Sequence, residues 1–268
     1  MTLRDITHIG RPLDPAWPTN RAIGFITIIV WVIAGVVGMW KGLGIVDANW
    51  NALLTSGNVF LAWAIGRELD PDRQPPAFLA SGIILMAITF TSAPSLLPAL
   101  WILLLLRVMN RTTGLKATLF DMAACAVVGL TLVLLQHPIF GLLTALILFL
   151  DDRLDGTYGT GTLLAIALVV VTTVLQMTLD VPESSPSALA ALAAAMSAVV
   201  FIPVYRRCAT MEAPGDDTGV CLLPRRVRAA QATSLLAGIL VAVVSGYAGL
   251  FSMAAFWSAV LAAGVYRT

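Results

Sequence analysis

Fifteen of the 16 lysines and arginines lie in every second connection between apolar segments, at the end of the fourth segment (Arg107) or in the two terminal tails. Cytoplasmic loops of membrane proteins retain Lys and Arg, whereas the loops on the other side carry few. The alternation therefore predicts an all-α, polytopic transmembrane helical bundle of about ten spans, with both termini in the cytoplasm. The predicted spans are Ala22–Trp40, Ile45–Gly66, Pro76–Ser92, Leu96–Met109, Thr118–Leu135, Pro138–Leu150, Gly161–Asp180, Ser187–Tyr205, Ala232–Ser245 and Leu250–Tyr266.

The exception to the charge pattern is Lys41, which follows the first span. All other basic residues fall on the predicted cytoplasmic side. They are Arg4, Arg11, Arg21, Arg67, Arg73, Arg107, Arg111, Lys116, Arg153, Arg206, Arg207, Arg225, Arg226, Arg228 and Arg267.

Composition supports a chain that is solvated mainly by lipid. Hydrophobic residues make up 59% of it and charged residues 12%, whereas a soluble domain carries roughly 25% charged residues. Only helices can cross lipid here, because each backbone N–H must find its partner within the segment. We expect a cytoplasmic or interfacial tail (1–21), one transmembrane domain in the cell membrane (22–268) and a cytoplasmic loop (206–230). The partners are membrane lipids and not nucleic acid, and the basic run Arg225–Arg228 is interpreted as a topology anchor or anionic-lipid contact.

The number of spans depends on the short segments. Pro138–Leu150 has 13 residues, whereas a comfortable span needs about 20. Either such a helix continues into its polar flanks, or some segments are broken, so counts of nine and eight stay open. Pro94, Pro98 and Pro138 argue against joining neighbouring segments into single long helices.

Three polar clusters are predicted on the cytoplasmic face, after the second, fourth and sixth spans. Carboxylates together with phosphate oxygens are the ligands that Mg²⁺ prefers, and arginines bind phosphate in a bidentate manner. The alternative interpretation is that these residues are ordinary interfacial charges at helix ends. The clusters are Arg67, Glu68, Asp70, Asp72 and Arg73; then Arg107, Asn110 and Arg111; then Asp151, Asp152, Arg153, Asp155 and Tyr158.

The third cluster resembles the second aspartate-rich motif of the UbiA-type intramembrane prenyltransferases. That motif is commonly two aspartates four residues apart, then Tyr-Gly and Thr-Leu. The matching residues here are Asp151, Asp155, Tyr158, Gly159, Thr162 and Leu163.

Two further positions carry a weaker resemblance to that family. Glu68 and Asp72 have the four-residue spacing of its first motif, after the second span, although Ala64 stands where the family has Asn. Arg111 and Thr112 resemble its basic residue and Thr after the fourth span.

The resemblance implies a Mg²⁺-dependent enzyme acting on a polyprenyl diphosphate. Its catalytic residues would be Asp151, Asp155 and Arg111. The diphosphate would leave as an allylic cation forms, with metal and arginine acting on the developing charge. The implied Mg²⁺ ligands are Glu68, Asp70, Asp72, Asp151 and Asp155, and the implied substrate-binding residues are Arg67, Arg73, Asn110, Arg153 and Tyr158.

A transporter or a non-catalytic membrane protein is the competing hypothesis. Its charges would set topology, and its polar span residues would line a path or hold helices together. Asn51 and Asn58 are two turns apart and could serve either purpose. Asp121, near the start of the fifth span, is a functional candidate as an ionisable residue in a membrane helix, but it also lies close enough to pair with Arg111 or Lys116.

Overall fold

The computed structural model describes residues 6–179 and 185–266, and its regular elements are helical apart from one isolated bridge between Pro214 and Cys221. Arg4, Asp180, Glu183 and Arg267 lie outside the described residues. The α-helices are α1 (Pro18–Trp40), α2 (Ile45–Leu69), α3 (Pro75–Phe90), α4 (Leu96–Asn110), α5 (Leu119–Leu135), α6 (Ile139–Leu154), α7 (Thr160–Thr178), α8 (Ala188–Arg207), α9 (Pro224–Ser252) and α10 (Ala254–Val265).

Four helices are long and apolar enough to cross a membrane: α1, α7, α8 with its following turn, and α9. Large apolar side chains on the outside of the bundle are open to the surroundings. Trp40 is 85% exposed, Phe90 83% and Met177 80%. A soluble protein rarely exposes such a surface, whereas lipid solvates it readily. The chain is thus an all-helical bundle with the surface of a membrane protein.

Helix α4 lies at the centre of the bundle, where it packs against α2, α5, α6, α9 and α10. Its fully buried Trp101 connects α4 to α6. The indole N–H donates to Thr144 Oγ1 at 2.8 Å, and the ring meets Phe140 edge-on at 4.9 Å between centroids. Central packing fixes the C-terminal end of α4, which carries Asn110 and Arg111.

Local sequence signals explain several helix starts and ends. Prolines occupy the first turn of α1, α3 and α9, where a missing N–H costs no hydrogen bond. Pro71 directly follows the end of α2 at Asp70, as expected for the residue before a proline. Asp121 forms a capping box with Thr118 at the start of α5. Both oxygens of Asp121 accept from other groups, Oδ1 from the Thr7 hydroxyl and Oδ2 from the His8 and Thr118 N–H groups. The pairing of Asp121 with Arg111 or Lys116 is therefore not found in the described residues.

The predicted segments agree with the observed helices to within a few residues, except near the C-terminus. Helix α9 begins at Pro224, so the last part of the predicted loop 206–230 is helical. Gly246 interrupts it with φ of +56°, a conformation that side chains rarely adopt. A Cβ there would lie 2.1 Å from the Ser185 carbonyl oxygen. Only glycine allows the chain to bend so close to its neighbour.

The connections that carry the basic residues meet at one end of the bundle, which we call the polar end. The backbone N–H groups of Asp216 and Asp217, in the α8–α9 connection, donate to Thr112 and Thr113 after α4. The N-terminal segment joins them, since His8 accepts from Thr113 through its carbonyl oxygen. These contacts bring the predicted cytoplasmic charges together.

Candidate functional site

The most concentrated group of charges at the polar end lies between α4, α6 and α9. Asp151 is fully buried in the last turn of α6, and Asp155 follows as the C-cap of that helix. Arg226 bridges the two carboxylates from the first turn of α9, 2.7 Å from Asp151 Oδ1, and Arg111 contacts both from the other side. Lys116 lies 3.5 Å from Asp155. We call Arg111, Lys116, Asp151, Asp155 and Arg226 the Asp151 cluster.

The Asp151 cluster has three cations and two carboxylates, and Lys116 also pairs with Asp152 at 3.4 Å, so the charges balance. Two of the hydrogen-bond donors in the cluster nevertheless have no partner. The Nε atoms of Arg111 and Arg226 are both buried without a hydrogen-bond partner. Buried polar groups usually have partners, so two orphaned guanidinium donors in one cluster need an explanation. An additional acceptor group, such as a phosphate oxygen, would satisfy them.

Arg111 has an unusual backbone that points to the same place. Its φ of 54° and ψ of 53° are left-handed, and it is the only residue other than glycine with positive φ in the described part of the chain. Such a conformation costs of order 1 kcal/mol and persists when surrounding contacts hold it. Its ion pairs with Asp151 and Asp155 are those contacts.

The electrostatics of Asp155 reflect its two arginine partners. Partial burial alone would raise the pKa of this carboxyl, but hydrogen bonds from Arg111 and Arg226 outweigh that effect and lower its pKa to about 2. Asp155 is therefore ionised at any physiological pH. Asp151 and Asp155 lie on the same side of the end of α6, because the same two arginines contact both.

Asp152 uses its carboxylate to hold the start of α7. Its Oδ2 accepts from the backbone N–H of Gly159 at 2.9 Å and from the N–H and hydroxyl of Thr162 at 2.7 and 3.1 Å. An anionic acceptor at a helix N-terminus is favourable. Gly159 and Thr162, two residues of the aspartate-rich motif, therefore have a structural role at the start of α7.

A second group of charges surrounds Glu68, near the end of α2. The Glu68 cluster consists of Arg11, Glu68, Arg107 and Asn110. Glu68 is fully buried, and its Oε1 accepts from Arg11 at 3.1 Å and from Arg107 at 3.2 Å. The Asn110 amide donates to Glu68 Oε2 and to its carbonyl oxygen. Both carboxylate oxygens of Glu68 are therefore occupied.

The remaining acidic residues of the first motif, Asp70 and Asp72, line a cavity of about 540 Å³, which we call the Asp70 cavity. It lies between the α2–α3 connection, the end of α8 and the start of α9. Asp70 pairs with Arg207 at 3.4 Å, and Asp72 accepts from the N–H groups of Glu212 and Ala213. Burial raises the pKa of Asp70 to about 6, although Arg207 acts in the opposite direction.

The predicted Mg²⁺ ligands are thus divided among three places. Glu68, Asp151 and Asp155 are bound by arginines, and Asp70 and Asp72 line a separate cavity. Over residues 6–179 and 185–266, no group of three or more His, Cys, Asp or Glu side chains is arranged to hold a metal ion. Arginines thus occupy three of the five predicted ligands, and the Mg²⁺ site stays a prediction.

Three predicted substrate-binding residues lie apart from these clusters. Arg153 stacks on the ring of Tyr158, 4.3 Å from its centroid, and both side chains are exposed. Arg67 lies over Trp63, 5.5 Å from the ring centroid. Arg73 lines the Asp70 cavity instead.

Sequence reasoning missed two arginines. Arg226 was interpreted as part of a topology anchor, yet it is 2% exposed and pairs with two aspartates. A basic residue in the first turn of a helix opposes the helix dipole, and this is a signal that it needs a carboxylate nearby. Arg11 had no local signal, because its partners Glu68 and Asp216 are distant in sequence.

The fold and the clusters define an all-helical protein with the surface of a membrane protein and a charged polar end. Comparison with known proteins adds no assignment: no family model, no curated protein and no solved structure matches this chain.

Proposed function

We propose that the protein is an integral membrane enzyme of the prenyltransferase type, which acts on an isoprenoid diphosphate at its polar end. The observation that carries the proposal is the pair of orphaned guanidinium donors on Arg111 and Arg226, which lie beside Asp151 and Asp155 in one cluster. The resemblance points to the same residues, since Arg111 meets Asp151 and Asp155 there.

Arginine suits this chemistry because its planar fork binds phosphate oxygens in pairs and stays charged. When the C–O bond of an allylic diphosphate breaks, negative charge develops on the leaving oxygens. The buried Arg226 and the partly buried Arg111, both oriented by Asp151 and Asp155, would stabilise that charge. The diphosphate would compete with Asp151 and Asp155 for the two arginines.

The proposed topology has ten membrane crossings in the cell membrane, with both termini and the polar end in the cytoplasm. The charge alternation supports this topology, and so does the contact between the N-terminal segment and the connections after α4 and α8. Helices of 15 to 17 residues, such as α3, α4 and α5, reach about 23–26 Å at 1.5 Å per residue. Their connections would complete the crossing in the interfacial layers.

The test is thermal stability of the purified protein in detergent with geranylgeranyl diphosphate, with and without Mg²⁺. A ligand at about 100 times its dissociation constant stabilises by about 2.7 kcal/mol. We expect that shift in the wild-type protein and its loss in Arg111→Gln, with turnover lost in Asp151→Ala. The matched control is Arg206→Gln, which removes an exposed charge at the same end. Equal shifts in Arg111→Gln and the control would refute the site.

Asp155→Asn separates two ways of holding the diphosphate. If the arginines bind it directly, this variant binds at least as tightly as the wild type without Mg²⁺, because a competitor has been removed. If Mg²⁺ links the carboxylates to the diphosphate, binding requires the metal and the variant binds less tightly. The second result would restore the metal role that the resemblance implies.

A transporter or a non-catalytic membrane protein is the second candidate, and one observation favours it. Every carboxylate of the Asp151 cluster has a cationic partner, as expected if these charges only join the connections at the polar end. In that case Asp151→Ala lowers stability, and no isoprenoid diphosphate changes the melting temperature of any variant.

A further inference from the structure

The Asp70 cavity is a second place where polar groups lack partners, and it shares no residue with the Asp151 cluster. Gln231, on α9, lines it and is 1% exposed. Its amide nitrogen donates to the Leu69 carbonyl oxygen at 2.7 Å, which fixes the orientation of the side chain. Its Oε1 is buried and accepts no hydrogen bond. The cavity therefore offers a fixed acceptor that needs a donor.

The cavity also offers a donor that needs an acceptor. Arg73 lines it, and its Nη1 is buried without a partner. Arg207 supplies a second positive charge, although it already contacts Asp70. A phosphate group is the acceptor that arginine binds best.

The carboxylates around the cavity restrict which phosphate would fit. Asp70, Asp72 and Glu212 all line it, so a bare phosphate ion would meet negative charge as well as Arg73. Hydroxyl groups next to the phosphate would donate to these carboxylates and to Gln231 Oε1. A ligand that combines phosphate with hydroxyls satisfies both kinds of orphaned group.

A separate apolar groove lies on the neighbouring turn of α8. It has a volume of about 490 Å³ between α8 and α10, it is open to the surroundings, and Val199, Val200, Pro203, Gly264 and Val265 line it. Val200 in the groove and Val204 in the cavity are four residues apart, on one face of α8. A molecule with a polar head in the cavity could thus extend an apolar chain into the groove.

From these observations we infer that the Asp70 cavity binds the headgroup of a phosphoglycerol lipid, with phosphate on Arg73 and a glycerol hydroxyl on Gln231, and that the α8–α10 groove holds its acyl chain. This inference does not depend on the proposed enzymatic function. The shared chemistry, a phosphate with a neighbouring hydroxyl, also occurs in soluble glycerol phosphate, so the experiment separates the two sources.

The experiment measures dissociation constants of the full-length protein in detergent for four probes: short-chain phosphatidylglycerol, phosphatidylcholine of the same chain length, glycerol phosphate and inorganic phosphate. We expect phosphatidylglycerol to bind most tightly. A hydrogen bond to a charged group contributes enough that Arg73→Gln should weaken this binding by at least about tenfold. Gln231→Met should also weaken it, whereas Arg206→Gln, an exposed control, should leave it unchanged.

Three results would overturn the inference. Equal binding of phosphatidylglycerol to Arg73→Gln and Arg206→Gln would exclude the cavity, and equal binding of phosphatidylcholine would exclude headgroup recognition. Glycerol phosphate that binds as tightly as phosphatidylglycerol would overturn the lipid source. If Gln231→Met does not fold, Arg73→Gln decides alone. A geranylgeranyl diphosphate response that persists in Arg73→Gln keeps the two sites distinct.

Discussion

The Glu68 cluster and the Asp151 cluster flank the same end of α4, but they differ in how completely their charges are satisfied. Both oxygens of Glu68 are bound by buried or half-buried side chains from other segments, and the buried atom without a partner in that cluster is the neutral Asn110 Oδ1. The Asp151 cluster keeps two guanidinium donors without partners, and Asp155 remains 23% exposed. An ion-pair network without orphaned charged donors serves stability, whereas one with orphaned charged donors next to solvent can accept a ligand. The contrast assigns different roles to two motifs that look alike in sequence.

The most direct test of this difference is to remove one carboxylate from each cluster and to compare the losses of unfolding free energy. Glu68→Ala should cost about 3–5 kcal/mol of unfolding free energy, because Arg107 loses its carboxylate partner and Arg11 keeps only the exposed Asp216. Asp151→Ala should cost less, about 1–3 kcal/mol, since Arg226 keeps Asp155. Denaturant unfolding in detergent measures both, with Asp47→Ala at the exposed start of α2 as the control. A larger loss for Asp151→Ala would reverse the assignment.

A smaller effect should appear in the dependence of stability on pH. The pKa of Asp70 is raised from 3.8 to about 6 in the folded protein, so the folded state holds this proton more tightly. Its contribution is present below about pH 4 and is lost as the pH rises to about 6. Asp70→Asn should remove that decline in unfolding free energy. An unchanged profile in the variant would contradict the burial of this carboxyl.

Asp155 should act in the opposite direction and at lower pH. Its pKa is lowered from 3.8 to about 2, so its contribution is complete above about pH 4 and is lost as the pH falls toward 2. Melting curves of wild type and Asp155→Asn between these values should converge as the acid protonates the wild-type carboxylate. Curves that stay parallel would mean that the arginine contacts do not hold in solution.

The smallest effect is expected at the exposed pair of Arg153 and Tyr158. Their contact is worth about 0.5–1 kcal/mol at an exposed site. Arg153→Ala should therefore change the melting temperature little and leave the response to geranylgeranyl diphosphate intact. A lost response would extend the candidate site to the outer surface of the α6–α7 connection.

Helices were predicted well because their signals are local. Apolar runs bounded by proline and polar turns located nine of the ten α-helices in residues 6–179 and 185–266 to within a few residues, in the order found. Helix α9 starts earlier than predicted, at Pro224, because its N-terminal part is polar on one side. Arg226 and Gln231 lie in this part and bind residues of other helices. Polar residues that are buried by distant contacts look like a loop when only neighbours in sequence are considered.

The candidate site was predicted only in part for the same reason. The four-residue spacing of Asp151 and Asp155 is a local property, and it correctly placed them together. Their partner Arg226 and the Glu68 partner Arg11 are 75 and 57 residues away. Spacing along one helix carries no information about which connection folds over its end. Which connection folds over a helix end depends on how the helices pack around α4. The same packing places Asp70 and Asp72 away from the other carboxylates.

The pairing of Asp151 with Arg226 has a consequence for how the protein is made. Synthesis runs from the N-terminus, so the ribosome releases Asp151 long before its buried partner, 75 residues later. Until α9 arrives, Arg111 and Lys116 are the cations of this cluster available to the aspartates. The polar end therefore stays incomplete while α1 to α8 are inserted, and insertion of α9 completes the Asp151 cluster. A chain that stops before Pro224 would retain most of its apolar helices and still lack a finished polar end.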